Sequence, residues 1–108
     1  MEKVIIYLPN VELFLNELVD ILFEKEYFGF KQDAINYTQK IKIFIEENIS
    51  NYTIKISPEE FKNFGEKYIV YKANNHTSWY IFFSQEAQYF FIKFITNNHT
   101  DFIKDFNP

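Results

Sequence analysis

Apolar residues along this chain fall first in a short continuous run, then in two stripes at helical spacing, then in further short runs. Val4 to Leu8 is short, apolar and largely β-branched, and Pro9-Asn10 closes it, which predicts a first strand. Val11, Phe14, Leu15, Leu18 and Leu22 then recur at helical spacing, with Glu12, Glu17 and Asp20 off the stripe. This predicts a helix over about residues 11 to 27, with Gly29 as its stop. A second helical pattern sets Ala34, Tyr37, Ile41, Phe44 and Ile45 on one side, against Lys31, Gln39, Lys42 and Glu46, and decays at Asn48 to Asn51. A tight join at Gly29 makes the two helices an αα-hairpin.

After Tyr52 to Ile56, the run Ser57-Pro58-Glu59-Glu60-Phe61 predicts a one-turn helix ending near Gly65. Ser57 is the expected cap, Pro58 the first residue inside and Glu60 the capping-box partner. Strands and turns alternate thereafter: Lys67 to Ala73, Trp79 to Phe83 and Tyr89 to Thr96, separated by Asn74-Asn75-His76-Thr77 and by Ser84-Gln85-Glu86. The last two strands are apolar on both faces, so both sides of the sheet should be covered, one by the helices and the other by a further element. The expectation is an α+β domain in which an N-terminal helical hairpin lies on one face of a short antiparallel sheet.

A length of 108 residues fits one core and therefore one domain. With 47% hydrophobic and 21% aromatic residues, the chain has enough apolar surface to offset the entropy of ordering it. Its formal charge is -4, and every basic residue is lysine, so no broad positive surface for nucleic acid is available. Cysteine is absent, which removes disulfides and thiolate chemistry. The N-terminal apolar run is too short for a secretory signal, and Tyr89 to Ile95, interrupted by Lys93, is too short to span a membrane; a cytoplasmic protein is expected. Asn-x-Ser/Thr triplets beginning at Asn36, Asn51, Asn75 and Asn98 follow from an Asn-rich composition. No Gly-rich phosphate loop, Gly-x-Ser-x-Gly, His-Glu-x-x-His or Cys-x-x-Cys occurs. His99-x-Asp101 is a poor start to a metal site, with only one other histidine and no cysteine, so neither metal nor cofactor is expected.

The element order, with Tyr68-Ile69-Val70-Tyr71-Lys72, the run from Asn74-Asn75-His76-Thr77-Ser78 through Trp79-Tyr80-Ile81-Phe82-Phe83, and Phe94-Ile95-Thr96-Asn97-Asn98-His99, resembles the RelE/ParE superfamily. The likeness is to a branch with a pattern close to Asn-x-x-Thr-Thr-Trp-Tyr-x-Phe-Phe followed by Ile-x-Asn-Asn-His. It implies the toxin component of a bacterial type II toxin–antitoxin pair, neutralised by a cognate antitoxin. The cellular target would be the ribosome, through mRNA cleavage, or DNA gyrase. Cleaving members place Arg and Lys on the sheet with a Tyr or His near its C-terminal end, whereas this chain has no Arg.

Carried onto this sequence, the resemblance implies Lys93 and His99, which with Tyr80 would supply a phosphate contact, a general acid and an aromatic surface for a base. Trp79, Asn97 and Asn98 are the implied partner or target surface. Each has a plainer alternative: His99 as a turn histidine after a strand, His76 and Thr77 as turn residues, and Trp79 to Phe83 as sheet core. Two functional readings of different classes therefore stand: an active toxin, or a non-catalytic interaction module that kept the fold and lost the basic site. A gyrase-binding inhibitor with no chemistry of its own is a third.

Overall fold

The computed structural model describes residues 2–24, 29–51 and 53–99. The order of elements is β1 (Val4–Tyr7), α1 (Pro9–Glu24), α2 (Lys31–Asn48), β2 (Lys55–Ile56), a 3₁₀ turn (Glu59–Phe61), β3 (Lys67–Lys72), β4 (Ser78–Glu86) and β5 (Tyr89–Asn97). This is an α+β fold built on one five-stranded sheet in the order β1-β5-β4-β3-β2. The helical hairpin carries the chain from one edge of that sheet to the other. In consequence β1 runs parallel to β5, while the remaining neighbours are antiparallel. The sheet is mixed and has a short fifth strand, where the sequence suggested an antiparallel sheet.

α1 begins two residues earlier than its hydrophobic stripe implies. The Leu8 carbonyl accepts from Val11 N–H (2.9 Å) and Glu12 N–H (3.0 Å), which makes Pro9 the first helical residue. A first-turn proline forfeits no hydrogen bond, so Pro9 opens the helix rather than merely closing the strand. The expected continuation to residue 27 lies outside the described residues, as does Tyr52 of the run before β2. Val11, Leu15 and Leu18 from α1 and Ile41, Ile45 and Ile49 from and just after α2 pack on Ile69, Trp79, Ile81, Phe83, Phe90, Ile92 and Ile95.

The opposite face has its own smaller core, as the two-sided strands require. Residues 57–66 fold across it as a strap, closed by Ser57 N–H donating to the Glu66 carbonyl at 3.0 Å. Phe61 and Phe64 from the strap meet Tyr68, Tyr80, Phe82 and Phe94, with the Phe64 and Phe94 rings stacked at 4.7 Å. Ser57 does not cap the turn: Pro58 stands at the cap position without a side-chain bond, and the Ser57 hydroxyl is buried with no hydrogen-bond partner. Gly65 touches β4 so closely that a Cβ there would lie 2.6 Å from the Phe83 backbone nitrogen.

β4 continues through Ser84, Gln85 and Glu86, which were expected to turn; the turn is Ala87-Gln88, with Ala87 at φ 53°. That left-handed conformation costs a non-glycine residue on the order of 1–2 kcal/mol. Between β4 and β5 the register slips, Phe82 facing Phe94 and Phe83 facing Ile92, so Lys93 is the extra residue of a β-bulge. No described helix is long and apolar enough to cross a membrane.

Candidate functional site

Where β3, β4 and β5 end together, the residues of the Asn-x-x-Thr and Asn-Asn-His patterns form one polar cluster. The turn between β3 and β4 is closed by Ala73 N–H to the Thr77 carbonyl (3.0 Å). Inside it the Asn74 side-chain oxygen accepts from His76 N–H (2.8 Å) and Thr77 N–H (2.9 Å), the local bonding that favours Asn in turns. Asn98 ties this turn to β5. Its side-chain oxygen accepts from Ser78 N–H (2.9 Å), its amide donates to the His76 carbonyl (3.0 Å), and its own N–H donates to the Ser78 carbonyl (3.1 Å). Asn97 accepts from His99 N–H (2.9 Å), and the His99 ring nitrogen Nε2 lies 3.2 Å from the Thr77 hydroxyl. Five residues separated by up to 25 positions in the sequence thus converge, and their bonds are mainly to backbone.

Lys93 and Tyr80 do not join them. Tyr80 faces Thr96 across the β4–β5 ladder on the strap side, 6% exposed, beside Tyr68 at 6.4 Å between ring centroids. Burial raises its hydroxyl pKa above the ordinary tyrosine value. Lys93 and His99 lie three residues to either side of Thr96, roughly 10 Å each way at the strand rise. The bulge holds Lys93 from behind, since the Asn10 amide at the start of α1 donates to its carbonyl at 3.0 Å. An acid and a base acting on one bond must both reach the reacting atoms, and these three side chains stand at separate places.

Trp79 lies on the other face. It is 3% exposed, its indole N–H donates to the Tyr37 hydroxyl (2.9 Å), and Phe14 and Tyr37 meet it edge-on at 6.1 and 6.5 Å. This places it in the helix–sheet core, with no surface turned toward a partner. Asn97 and Asn98 are half-buried at the sheet's end. Asp101, the second residue of the weak metal pattern, lies outside the described residues. Among those described, no group of three His, Asp or Glu side chains is placed to hold a metal.

At the opposite end of the sheet an open depression of about 490 Å³ is lined by Lys3, Ser50, Gln85, Ala87, Gln88 and Phe90. The Lys3 ammonium is spent on the Glu46 carbonyl in the last turn of α2, where a cation complements the helix dipole. Gln85 donates to the Ala87 carbonyl at 3.1 Å. Two of its polar side chains, Lys3 and Gln85, are thus engaged within the chain.

No family model, curated protein or solved structure matches the chain.

Sequence reasoning missed the row of Val4, Ile6, Tyr89 and Phe91 on the strap side. They are register neighbours, Val4 with Tyr89 and Ile6 with Phe91. The available signal was that Val4–Tyr7 is apolar at every position, which leaves apolar side chains on both faces of a strand. Its partner strand was not readable, because parallel pairing joins segments some 85 residues apart.

Proposed function

We propose that the chain is the toxin-type member of a type II toxin–antitoxin pair with a RelE/ParE-like fold, held by a cognate antitoxin, and that it acts by binding its target. The observation that carries this reading is the convergence of Asn74, Thr77, Asn98 and His99. These are residues by which the sequence resembles that superfamily, and they form one cluster joining the β3–β4 turn to the end of β5. The order of strand, two helices and a following antiparallel meander supports the same reading.

Action by binding follows from the electrostatics and the spacing. Stabilising the charge that develops during phosphodiester cleavage calls for cations aimed at the reacting phosphate. The chain has no Arg for the bidentate grip, and Lys93, in the middle of β5, stands roughly 20 Å of strand rise from His99 beyond its end. The same two facts favour one alternative, an interaction module that binds a partner and has no toxicity.

Tightly induced expression in a bacterial host distinguishes them. Growth arrest, relieved by co-expressing a short reading frame adjacent to the gene and accompanied by intact ribosome-bound mRNA, is the expected result. Full soluble expression without arrest overturns the toxin reading and leaves the interaction module. Cut mRNA, with cutting lost in folded Lys93→Ala or His99→Ala protein, overturns action by binding.

A further inference from the structure

The two edges of the sheet are finished differently. At one, β2 is two residues long and carries Lys55, next to β3 with Lys67 and Lys72 at its ends. Shortness and lysines are the common means by which an edge is kept from pairing with another chain. β1, at the other edge, has neither lysine nor proline among Val4, Ile5, Ile6 and Tyr7. Val4 N–H donates to the Gln88 carbonyl (2.8 Å) and Leu8 N–H to the Ile92 carbonyl (3.1 Å), which fixes the phase of the parallel ladder. Val4 and Ile6 therefore turn their backbone groups to β5, as Leu8 does its N–H, and Ile5 and Tyr7 turn theirs outward.

An apolar row reaches that same edge on the strap side. Val4 and Ile6 stand beside Tyr89 and Phe91, with Val4 40% and Tyr89 41% exposed. Phe61 and Phe64 of the strap pack further along the sheet, on Phe82 and Phe94.

We propose that β1 pairs antiparallel with β1 of a second copy of this chain, about a two-fold axis at Ile5, so that the two sheets become one. The phase of the ladder requires outward-facing residues to oppose one another; an axis at Ile5 lets Lys3, Ile5 and Tyr7 all pair, whereas one at Ile6 sets Lys3 opposite Pro9, which has no N–H to give. Antiparallel hydrogen-bonded pairs need an outward-facing residue on both strands. An axis at Ile5 sets Ile5 opposite Ile5 of the second copy and Lys3 opposite its Tyr7. Val4 then falls opposite Ile6 of the second copy, and the two apolar rows meet. Charge agrees: Glu2 falls opposite Leu8 of the second copy, so no like charges are opposed. The contact is isologous, which closes the assembly at two. A four-residue edge with one apolar row lies at the low end of stable interfaces, so the dimer is reversible and concentration-dependent.

Sedimentation or light scattering over a wide concentration range tests this. The apparent mass should rise from that of the 13.2 kDa chain toward twice that value. Hydrogen exchange at the Ile5 and Tyr7 amides should slow with it. Val4→Lys, at an exposed position, and Ile6→Lys should each raise the dimer Kd more than tenfold while circular dichroism shows an unchanged fold. Ile56→Lys, on the blunted edge, should leave dimerisation as it is. A chain monomeric at every concentration, a dimer that survives both β1 substitutions in folded protein, or one lost in Ile56→Lys overturns the proposal. The outcome is independent of whether the chain arrests growth.

Discussion

Replacing Gly65 with alanine probes how tightly the strap is laid on the sheet. The new Cβ would stand 2.6 Å from the Phe83 nitrogen, 2.9 Å from the Phe82 carbonyl carbon and 3.0 Å from the Phe82 Cβ. Ordinary carbon contacts lie near 3.5–4.0 Å, so a movement of about 1 Å is required. Two of the three atoms are backbone of β4, which is hydrogen-bonded on both sides by β3 and β5 and cannot yield alone. The strap must move instead, and Phe61 and Phe64 lose part of their fit over Phe82 and Phe94. Overpacking of this kind costs about 1–3 kcal/mol, and displaced aromatic contact places Gly65→Ala at the upper end, ~3 kcal/mol. For a chain of this length that lowers Tm by roughly 12–15 °C at about 4–5 °C per kcal/mol. Gly29→Ala is the control, because nothing lies within 4 Å of a Cβ at Gly29 and its φ is not positive; it should be neutral or slightly stabilising. Urea unfolding of both variants against wild type measures the difference. A Gly65→Ala midpoint shift worth less than about 0.5 kcal/mol would refute the close contact of strap and sheet.

Asn98→Ala removes the acceptor of Ser78 N–H and the donor to the His76 carbonyl, and should cost about 1–3 kcal/mol in thermal unfolding, with faster amide exchange at Ser78. An unchanged Tm would mean that solvent replaces both bonds freely. The Tyr7 hydroxyl is buried without a hydrogen-bond partner, and its pKa is pushed up to about 12, by burial first and then by Glu46 and Glu12. A folded pKa above the unfolded value of about 10 means stability is fully present below pH ~10 and is lost as pH rises toward 12. Two units correspond to about 2.7 kcal/mol, reduced to ~1 kcal/mol by solvent screening around the half-buried ring. Tyr7→Phe should therefore equal or exceed wild-type stability at neutral pH and lose less between pH 10 and 12. Tyr68 and Tyr80, also raised chiefly by burial, act in the same direction. A Phe variant with an alkaline profile identical to wild type would remove Tyr7 from this account.

Local periodicity made the helices legible. Val11, Leu15, Leu18, Ile41 and Ile45 are buried where their spacing put them, and the need for a second cover followed from strands apolar on both sides. What escaped was non-local or one residue in phase. The parallel contact of β1 with β5 depends on the hairpin crossing the whole sheet, which no window of sequence contains. Polar Ser84, Gln85 and Glu86 looked like a turn, yet they are the end of β4, while the true turn uses Ala87 rather than Gly or Asn. Trp79-Tyr80-Ile81-Phe82-Phe83 lacks alternation, so its sequence does not say that Trp79 faces the helices and Tyr80 the strap. Asn74, Thr77, Asn98 and His99 were legible as a pattern, but their bonds to backbone across two strand ends were not.

A catalytic set would point side chains into a common space, whereas Asn74 and Asn98 point theirs at backbone N–H and carbonyl groups and hold a turn against a strand end. Positional constraint on such residues comes from geometry, since Gln or Ala at Asn98 cannot satisfy Ser78 and His76 at once. Tyr80 argues the same way, its hydroxyl moved by burial further from the pKa range in which a side chain exchanges protons near neutrality. Lys93 is positioned through its carbonyl by Asn10, and that carbonyl anchor serves the start of α1 whatever the ammonium does. The features that give the superfamily resemblance thus build the scaffold. What the scaffold leaves open is surface: an unblunted β1 and the apolar row beside it, which suit association with another chain better than chemistry on a small substrate.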